Sequence, residues 1–317
     1  MKHRKVVIVG GGPAGSVCAW RLVQAGVDTL VLDKQSFPRS KTCAGWITPQ
    51  VLQMLDFQPE EYPHSLSIYD GLKIYLDRIP VWKPGRQYAV RREEFDTWLL
   101  ERSWVDFEVH DVRHIKATSE GFDVDDVVSA EYLVGAGGTY CPVYHQLFKD
   151  DKPRTGTRIV ALEDEFACSW RDGKPRLWFF RRGLPGYAWY LPKAGGYLNL
   201  GVGGNARQLQ ERGTGITEHW QSLLADLKEK GLIQDQDFQP RGYIYQLQDL
   251  QPPTQTGKAY LVGDAVGLAT LDMGEGIGPA VESGLRAAES ILTGKTYSLQ
   301  GIRQYSLLPS WLGDLFL

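Results

Sequence analysis

The first 33 residues switch from a short apolar run to helical spacing and back. The β-branched run Val6–Val9 predicts a buried parallel strand. Residues 14–25 then carry apolar side chains at helical spacing, and Gly26 follows, a residue that commonly ends helices. Thr29–Leu32 predicts a second strand, which Asp33 closes. The segment is therefore predicted to form a βαβ unit.

The rest of the chain divides into predicted helices, predicted strands and one irregular region. Apolar spacing predicts helices at Arg92–Arg102, at Ile216–Lys230 with Thr214 as its cap, and at Gly276–Leu292. Short runs of β-forming residues predict strands at Phe107–Val109, Gly121–Val124, Tyr132–Val134 and Ala259–Val262. Residues 155–205 are rich in aromatic and β-forming side chains and predict a sheet. Frequent proline and glycine predict an irregular connection with one or two strands over 34–90.

The order of these elements predicts an α/β fold in which one domain interrupts another. A nucleotide-type βαβ unit opens the chain and a strand–loop–helix unit closes it, with the sheet-rich region between them. We therefore predict a discontinuous, Rossmann-like nucleotide-binding domain over 1–150 and 255–317. The interval 151–254 is predicted to form a substrate domain.

Composition excludes several classes of protein. In 317 residues, 35 Lys and Arg balance 38 Asp and Glu, so the net charge is −3, which argues against a nucleic-acid partner. Four separated cysteines form no CxxC pair, and no metal site is predicted. No apolar run approaches the 18 or so residues of a membrane span. We expect a cytoplasmic protein, with peripheral membrane contact left open.

Gly10, Gly12 and Gly15 form a GxGxxG motif between the first strand and the first helix. In this context the three glycines allow a tight turn, the approach of a pyrophosphate and close helix–strand packing. The helix N-terminus, with Pro13 and Ala14, offers free N–H groups to phosphates. Asp33 stands where a carboxylate binds a ribose diol, which disfavours NADP at this site. The alternative is a glycine turn beside a solvated aspartate.

A second candidate block lies near the C-terminus. A buried strand runs into Gly263-Asp264, and a helix follows from about Gly276. Asp264 could accept hydrogen bonds from a sugar-alcohol chain, and the helix dipole could stabilise charge on the N1–C2=O edge of a reduced flavin. The alternative is an ordinary βα turn in which Asp264 caps a helix.

Four motifs, in order, resemble the geranylgeranyl reductase family, which has the FAD-binding fold of the p-hydroxybenzoate hydroxylase type. The chain carries GxGxxG, then KxCxG at Lys41–Gly45, YxWxxP at Tyr187–Pro192 followed by Gly201-Val202-Gly203, and the block GDAxG, GEGI and SG between Gly263 and Gly284. The stretch GAGGT-CPV is similar to the bacterial colicin M resistance (CbrA-like) branch. The resemblance implies FAD held by Gly10, Gly12, Pro13, Ala14, Gly15, Asp33, Lys34, Arg92, Gly263, Asp264, Gly274, Gly276 and Ile277. Arg92 corresponds to the family's pyrophosphate-binding arginine.

The resemblance also implies an activity. It is the reduction of C=C bonds in an isoprenoid-like or other apolar substrate, with Cys43, Tyr187 and Trp189 on the substrate side. Because the chain has no second GxGxxG motif, electrons would come from transiently bound NADPH or from a protein donor such as ferredoxin. Two alternatives stay open, a flavin-dependent monooxygenase or halogenase, and an FAD-binding protein without turnover. The second alternative rests on Gly135–Gly138, where most relatives have an aspartate.

Overall fold

The computed structural model describes residues 2–76, 79–150, 153–170, 172–249 and 251–307. Within these ranges the strands are β1 (Lys2–Val9), β2 (Thr29–Asp33), β3 (Trp46–Ile47), β4 (Ser67–Leu76), β5 (Ile79–Ala89), β6 (Asp106–Val109), β7 (Ile115–Ala117), β8 (Phe122–Val124), β9 (Val128–Gly135), β10 (Arg158–Ala167), β11 (Arg176–Phe179), β12 (Gly186–Lys193), β13 (Tyr197–Asn205), β14 (Arg241–Gln246), β15 (Gln255–Thr256) and β16 (Ala259–Leu261). The α-helices are α1 (Pro13–Gln24), α2 (Pro49–Met54), α3 (Arg92–Arg102), α4 (Pro142–Leu147), α5 (Ala206–Glu211), α6 (Ile216–Glu229) and α7 (Ile277–Thr293).

The first sheet joins the two ends of the chain. Its strand order is β15-β16-β9-β1-β2-β6, and the strands from β16 to β6 are parallel to one another. The four residues Val6–Val9 of β1 are buried, as a central parallel strand requires. Helices α1 and α7 pack together against this sheet through small side chains. The α/β class and the parallel βαβ unit are thus confirmed.

The second sheet has the order β14-β10-β13-β12-β11-β4-β5-β3 and is antiparallel except where β11 meets β4. One of its faces is covered by α6, whose Trp220, Leu223 and Leu227 pack against Tyr190 and Leu200. Side chains alternate along a strand, so the neighbouring residues Trp189 and Leu191 lie on the opposite face. That second face is free to border a site.

Residues 46–89 differ from the sequence expectation. Instead of an irregular connection, β4 and β5 form a long hairpin, and β3 to β5 belong to the second sheet rather than to the nucleotide-binding part that the predicted division gave them. Proline and glycine misled the prediction, because Pro80 and Pro84 lie in β5, where no described strand pairs with residues 79–87 on its far side. Proline is tolerated at such an edge.

The helix predicted from 216 ends one residue earlier, and its cap is not Thr214. Gly215 is the N-cap of α6, and Glu218 Oε1 accepts a hydrogen bond from the Gly215 N–H at 3.3 Å. None of the helices in the described ranges is long and apolar enough to span a membrane.

Candidate functional site

A cavity of about 500 Å³ lies between the carboxyl ends of the parallel strands and the free face of the second sheet. The ends of β1 and β2 and the residues after β9 and β16 border it on one side, and β10, β12 and β14 on the other. Ligands of open parallel sheets bind outside these carboxyl ends. Of the predicted site residues, the cavity is lined by Gly10, Gly12, Pro13, Ala14, Asp33, Lys34, Cys43, Arg92, Tyr187, Trp189, Gly263, Asp264, Gly274, Gly276 and Ile277. Gly15 is the one predicted site residue that does not line the cavity.

The glycine loop has the shape that its motif predicts. Gly10 adopts φ +114°, and a Cβ there would stand 2.4 Å from the Ala136 carbonyl oxygen. A Cβ on Gly15 would stand 1.9 Å from the Gly10 carbonyl oxygen, so the third glycine allows α1 to pack on the turn. In front of Gly12 the nearest atom to such a Cβ is an Arg39 guanidinium nitrogen, 3.4 Å away. The N-terminus of α1, with no side-chain cap, therefore opens onto the cavity.

Two arginines beside this loop share one buried carboxylate. Arg92 makes a bidentate pair with the fully buried Asp96 at 2.7 and 2.8 Å, and Arg39 approaches the same carboxylate at 3.4 Å. Within the described part of the chain, Arg39 Nε has no hydrogen-bond partner. Two positive charges against one negative charge leave an excess beside the helix N-terminus. These residues fit a pyrophosphate.

Asp33 and Asp264 occupy the two positions suited to sugar hydroxyls. Asp33 Oδ2 accepts a hydrogen bond from Gly11 N–H at 2.8 Å, which fixes the carboxylate at the end of β2 beside the loop. Asp264 lies in the 3₁₀ turn Gly263–Ala265, and its Oδ2 is 3.4 Å from the Tyr243 hydroxyl. The arrangement fits the ribose and the ribityl chain of FAD.

Glycine at two further positions brings the C-terminal block onto α1. A Cβ on Gly284 of α7 would stand 2.3 Å from the Ala14 carbonyl oxygen, and one on Gly263 would meet the Ala14 Cβ at 3.1 Å. The Gly263 N–H donates to Ser283 Oγ at 2.9 Å. The distant GxGxxG and GDA…SG motifs are therefore one packed unit, with α7 beginning at the cavity.

The KxCxG element forms a loop between the two sheets. Cys43 N–H donates to the carboxylate of Glu163, and Gly45 N–H donates to Cys43 Sγ at 3.4 Å. Gly45 adopts φ +71°, and a Cβ there would stand 2.1 Å from the Val90 carbonyl oxygen. Lys41 Nζ lies 3.1 Å from the ring centre of Tyr243, and burial lowers the pKa of Lys41 to about 8.

Aromatic side chains cover the sheet side of the cavity. Tyr187 and Trp189 lie on one face of β12 with ring centres 5.7 Å apart, as strand alternation predicts, and Tyr187 donates to the Met273 carbonyl oxygen at 2.5 Å. A Cβ on Gly201 would stand 2.0 Å from the Trp189 ring. The GxG that follows YxWxxP therefore leaves room for the indole to lie across β13.

Behind this wall is a buried polar network that sequence reasoning missed. Trp189 Nε1 donates to Asn199 Oδ1 at 2.7 Å, and Asn199 Nδ2 donates to Glu165 at 3.4 Å. Glu165 also pairs with the fully buried Lys193 and with Arg91, and these cations hold the pKa of Glu165 below its ordinary value although burial opposes them. The network fixes the orientation of the indole.

Comparisons with known proteins agree with this geometry. A sequence profile described as FAD-dependent oxidoreductase (DAO) matches residues 5–142. An uncharacterized protein of Methanosarcina barkeri is 31% identical over 306 residues, which are 92% of this chain and 75% of that protein. Digeranylgeranylglycerophospholipid reductase 3 of Methanosphaera stadtmanae is 25% identical over all of this chain and 85% of its own. The chain belongs to the geranylgeranyl reductase family of FAD-dependent oxidoreductases.

Solved structures share the family's fold. A geranylgeranyl bacteriochlorophyll reductase-like protein of Thermoplasma acidophilum has a TM-score of 0.80 at 20% identity, over 100% of this chain and 82% of its own. The flavin-dependent brominase Bmp2 has a TM-score of 0.72 at 19% identity, over 94% of this chain and 81% of its own. At these identities the likeness is one of fold alone. The likeness to the brominase therefore does not indicate which reaction this chain catalyses.

Several cavity residues had no role in the sequence-based prediction, and three of them carry charge or a hydroxyl next to the predicted site residues: Arg39, Glu163 and Tyr243. Their partners, Asp96, Cys43 and Asp264, are between 21 and 120 positions away in the chain, so no local pattern relates them. Arg39 follows Phe37-Pro38, and that signal alone could have placed it next to the glycine loop. Among the described residues there is no cluster of His, Cys, Asp and Glu that could hold a metal ion.

Proposed function

We propose that this protein uses FAD to reduce C=C bonds of an isoprenoid-like or other apolar substrate. The observation that carries the proposal is one cavity with two chemically different ends. One end is bordered by a glycine loop, a helix N-terminus and two arginines. The other end is bordered by the side chains of Tyr187, Trp189 and Leu177. Bound FAD would supply hydride from its reduced ring, and the protein would orient the alkene and exclude water.

The family relatives support the substrate class. The names digeranylgeranylglycerophospholipid reductase and geranylgeranyl diphosphate reductase describe enzymes that act on polyprenyl chains. An aromatic wall suits such a substrate, because aromatic rings bury large apolar areas. We propose that Cys43, Tyr187 and Trp189 contact the substrate, that the substrate is taken from a membrane surface, and that NADPH or a ferredoxin-like protein donates the electrons.

The test is anaerobic reduction of the purified protein with and without a geranylgeranyl lipid. We expect flavin absorption bands, release of FAD on denaturation, and a mass gain of two hydrogens for each saturated C=C bond. NADPH-driven oxygen uptake without saturation of the lipid would instead identify a monooxygenase or halogenase. Bound FAD with neither reaction would identify a binding protein without turnover.

A further inference from the structure

Glu163 is a buried carboxyl group in the wall of the cavity that none of the sequence motifs includes. It lies in the middle of β10, and its side chain is 6% exposed. Like Ala161, two residues before it, it borders the cavity, so both lie on the free face of the second sheet. The carboxyl group of Glu163 therefore faces the cavity and not the core under α6.

The register of the sheet sets Glu163 beside the proposed substrate wall. Glu163 pairs with Gly201 of β13, and Gly201 pairs on its other side with Trp189 of β12. Because Gly201 has no side chain, the Trp189 ring occupies the space above it, between the two strands. On the other side, Glu163 Oε1 accepts the hydrogen bond from Cys43 N–H. Glu163 therefore lies between the cysteine loop and the indole.

The nearby positive charges are engaged with other carboxylates. Lys193 Nζ pairs with Glu165 and donates to the Val90 carbonyl oxygen at 2.8 Å, and Arg92 is paired with Asp96. In the described part of the chain, the Cys43 N–H is the only hydrogen-bond donor to the carboxylate of Glu163. Burial raises the pKa of Glu163 to about 7, whereas the pKa of Glu165 is lowered. Two carboxyl groups two residues apart in β10 thus differ in proton affinity, as expected of an acid beside a structural anion.

Saturating a C=C bond needs a proton as well as a hydride. Three tyrosine hydroxyls lie on the same side of the cavity. Tyr187 donates to the Met273 carbonyl oxygen, and the Tyr243 hydroxyl lies 3.3 Å from Thr139 Oγ1. Burial raises the pKa of the third, Tyr245, well above its ordinary value, which makes that hydroxyl a weaker acid. Glu163 retains a carboxyl oxygen without a hydrogen bond among the described residues. It is the carboxyl group that β10 contributes to the cavity lining, and a carboxyl group is a stronger acid than the tyrosine hydroxyls beside it.

We propose that Glu163 is the general acid of the reduction, an inference that rests on the proposed function. Bound reduced flavin would supply the hydride that forms a C–H bond at one alkene carbon as the π bond breaks, and would lose two electrons in doing so. The proton of the Glu163 carboxyl group forms the C–H bond at the adjacent carbon. The resulting carboxylate takes a proton back from water, so the protein returns to its starting state.

The test compares Glu163→Gln with Asp164→Asn. Asp164 is the adjacent residue of β10 on the opposite face, where its Oδ2 accepts from Gln239 N–H at 2.7 Å. Protein whose flavin has been reduced by dithionite is mixed anaerobically with a geranylgeranyl lipid in a single turnover. We expect E163Q to form product about 100-fold more slowly, the usual contribution of a general acid, and D164N to match the wild type. Flavin content and the rate of flavin oxidation by ferricyanide should not change in either variant.

Two further readouts separate an acid from a merely structural residue. The wild-type single-turnover rate should fall as pH rises through about 7, the pKa of Glu163, and this limb should be absent in E163Q. In flavin-free protein, infrared titration should show a protonated carboxyl band that Cys43→Ala retains and E163Q lacks, while the band of Glu275, whose pKa burial also raises to about 7, remains in all three proteins. The ionisable groups that face Glu163 and could displace the midpoint are Lys193, Glu165, Arg92, Cys43, Tyr245 and, from β14, its register partner Arg241.

The outcomes distinguish the two proposals. If the wild type saturates the lipid and E163Q does so within about threefold of its rate, the role of Glu163 is overturned while the proposed function stands. The same holds if E163Q removes no protonated carboxyl band from the infrared spectrum. If the wild type saturates no polyprenyl lipid, the proposed function fails, and the role of Glu163 falls with it.

Discussion

Asp96 is the carboxylate that balances the two arginines beside the glycine loop of the cavity. Its fully buried carboxylate faces Arg92 and Arg39, so Asp96→Asn would leave a buried guanidinium without its counter-ion. Losing one partner of a buried pair costs about 3–5 kcal/mol, and we expect the free energy of unfolding in urea to fall by that amount. Glu93→Gln, on the exposed side of α3, is the control and should change it by less than about 1 kcal/mol. An unchanged unfolding midpoint in D96N would show that the arginines are stable without this anion.

Gly12 tests the cofactor assignment at single-residue scale. Its φ is −74°, which any residue can adopt, and the space in front of it is open, so Gly12→Val should fold. The valine side chain would occupy the approach of the pyrophosphate, and the purified variant should be colourless and release no FAD. Gly242→Ala, where a Cβ would have no neighbour closer than 3.8 Å, should keep its flavin. Stoichiometric FAD in G12V would refute the assignment of the loop.

Site residues that lie close together in the sequence could be predicted, whereas those that meet only in the folded chain could not. Gly10, Gly12 and Asp33 belong to one βαβ unit, and their spacing within it predicts a nucleotide-binding site. Glu163 and Asn199 become meaningful only through strand register, since Glu163 meets Cys43 from 120 positions away. A sequence pattern carries no information on such pairings unless the topology is already known.

At the scale of elements, the crossing of α1 and α7 unites the two halves of the cofactor end. Gly284→Val would force its side chain against the Ala14 carbonyl oxygen and push the helices apart. We expect a loss of about 3 kcal/mol in unfolding free energy, at the upper end of overpacking costs, together with weaker FAD binding in a fluorescence titration. Thr293→Ala, at the exposed end of α7, is the control for helix propensity. Wild-type affinity in G284V would mean that the crossing does not shape the site.

Helices and buried strands were predictable because their periodicity is local, and α3 has the predicted bounds Arg92–Arg102. The β4–β5 hairpin could not be predicted from the sequence. Pro80 and Pro84 argue against a strand unless that strand is known to lie at the edge of a sheet. The membership of β3 to β5 in the second sheet depends on the pairing of β4 with β11, which lies about a hundred residues further on.

At the scale of the whole molecule, buried carboxyls predict how stability depends on pH. Burial raises the pKa of Glu163 and of Glu275 to about 7, above the ordinary value of about 4.3 in an unfolded chain. The folded state therefore binds these protons more tightly, and their contribution is fully present below about pH 4.3 and is lost as pH rises through 7. In flavin-free protein, the double variant E163Q/E275Q should lose less unfolding free energy than the wild type between pH 5 and 7. Parallel urea profiles for the two proteins would contradict the shifts.

The joining of both chain ends in one parallel sheet has a consequence for synthesis in the cell. A ribosome exposes the glycine loop first, but β16, the GDA turn and α7 emerge only after the whole second sheet. The partly made chain therefore has half a cofactor site, with β9 lacking its neighbour and α1 lacking the helix that covers it. FAD can stabilise the protein only once translation has passed residue 277. Cofactor binding can therefore complete the fold only after the sheet-rich region has been synthesised.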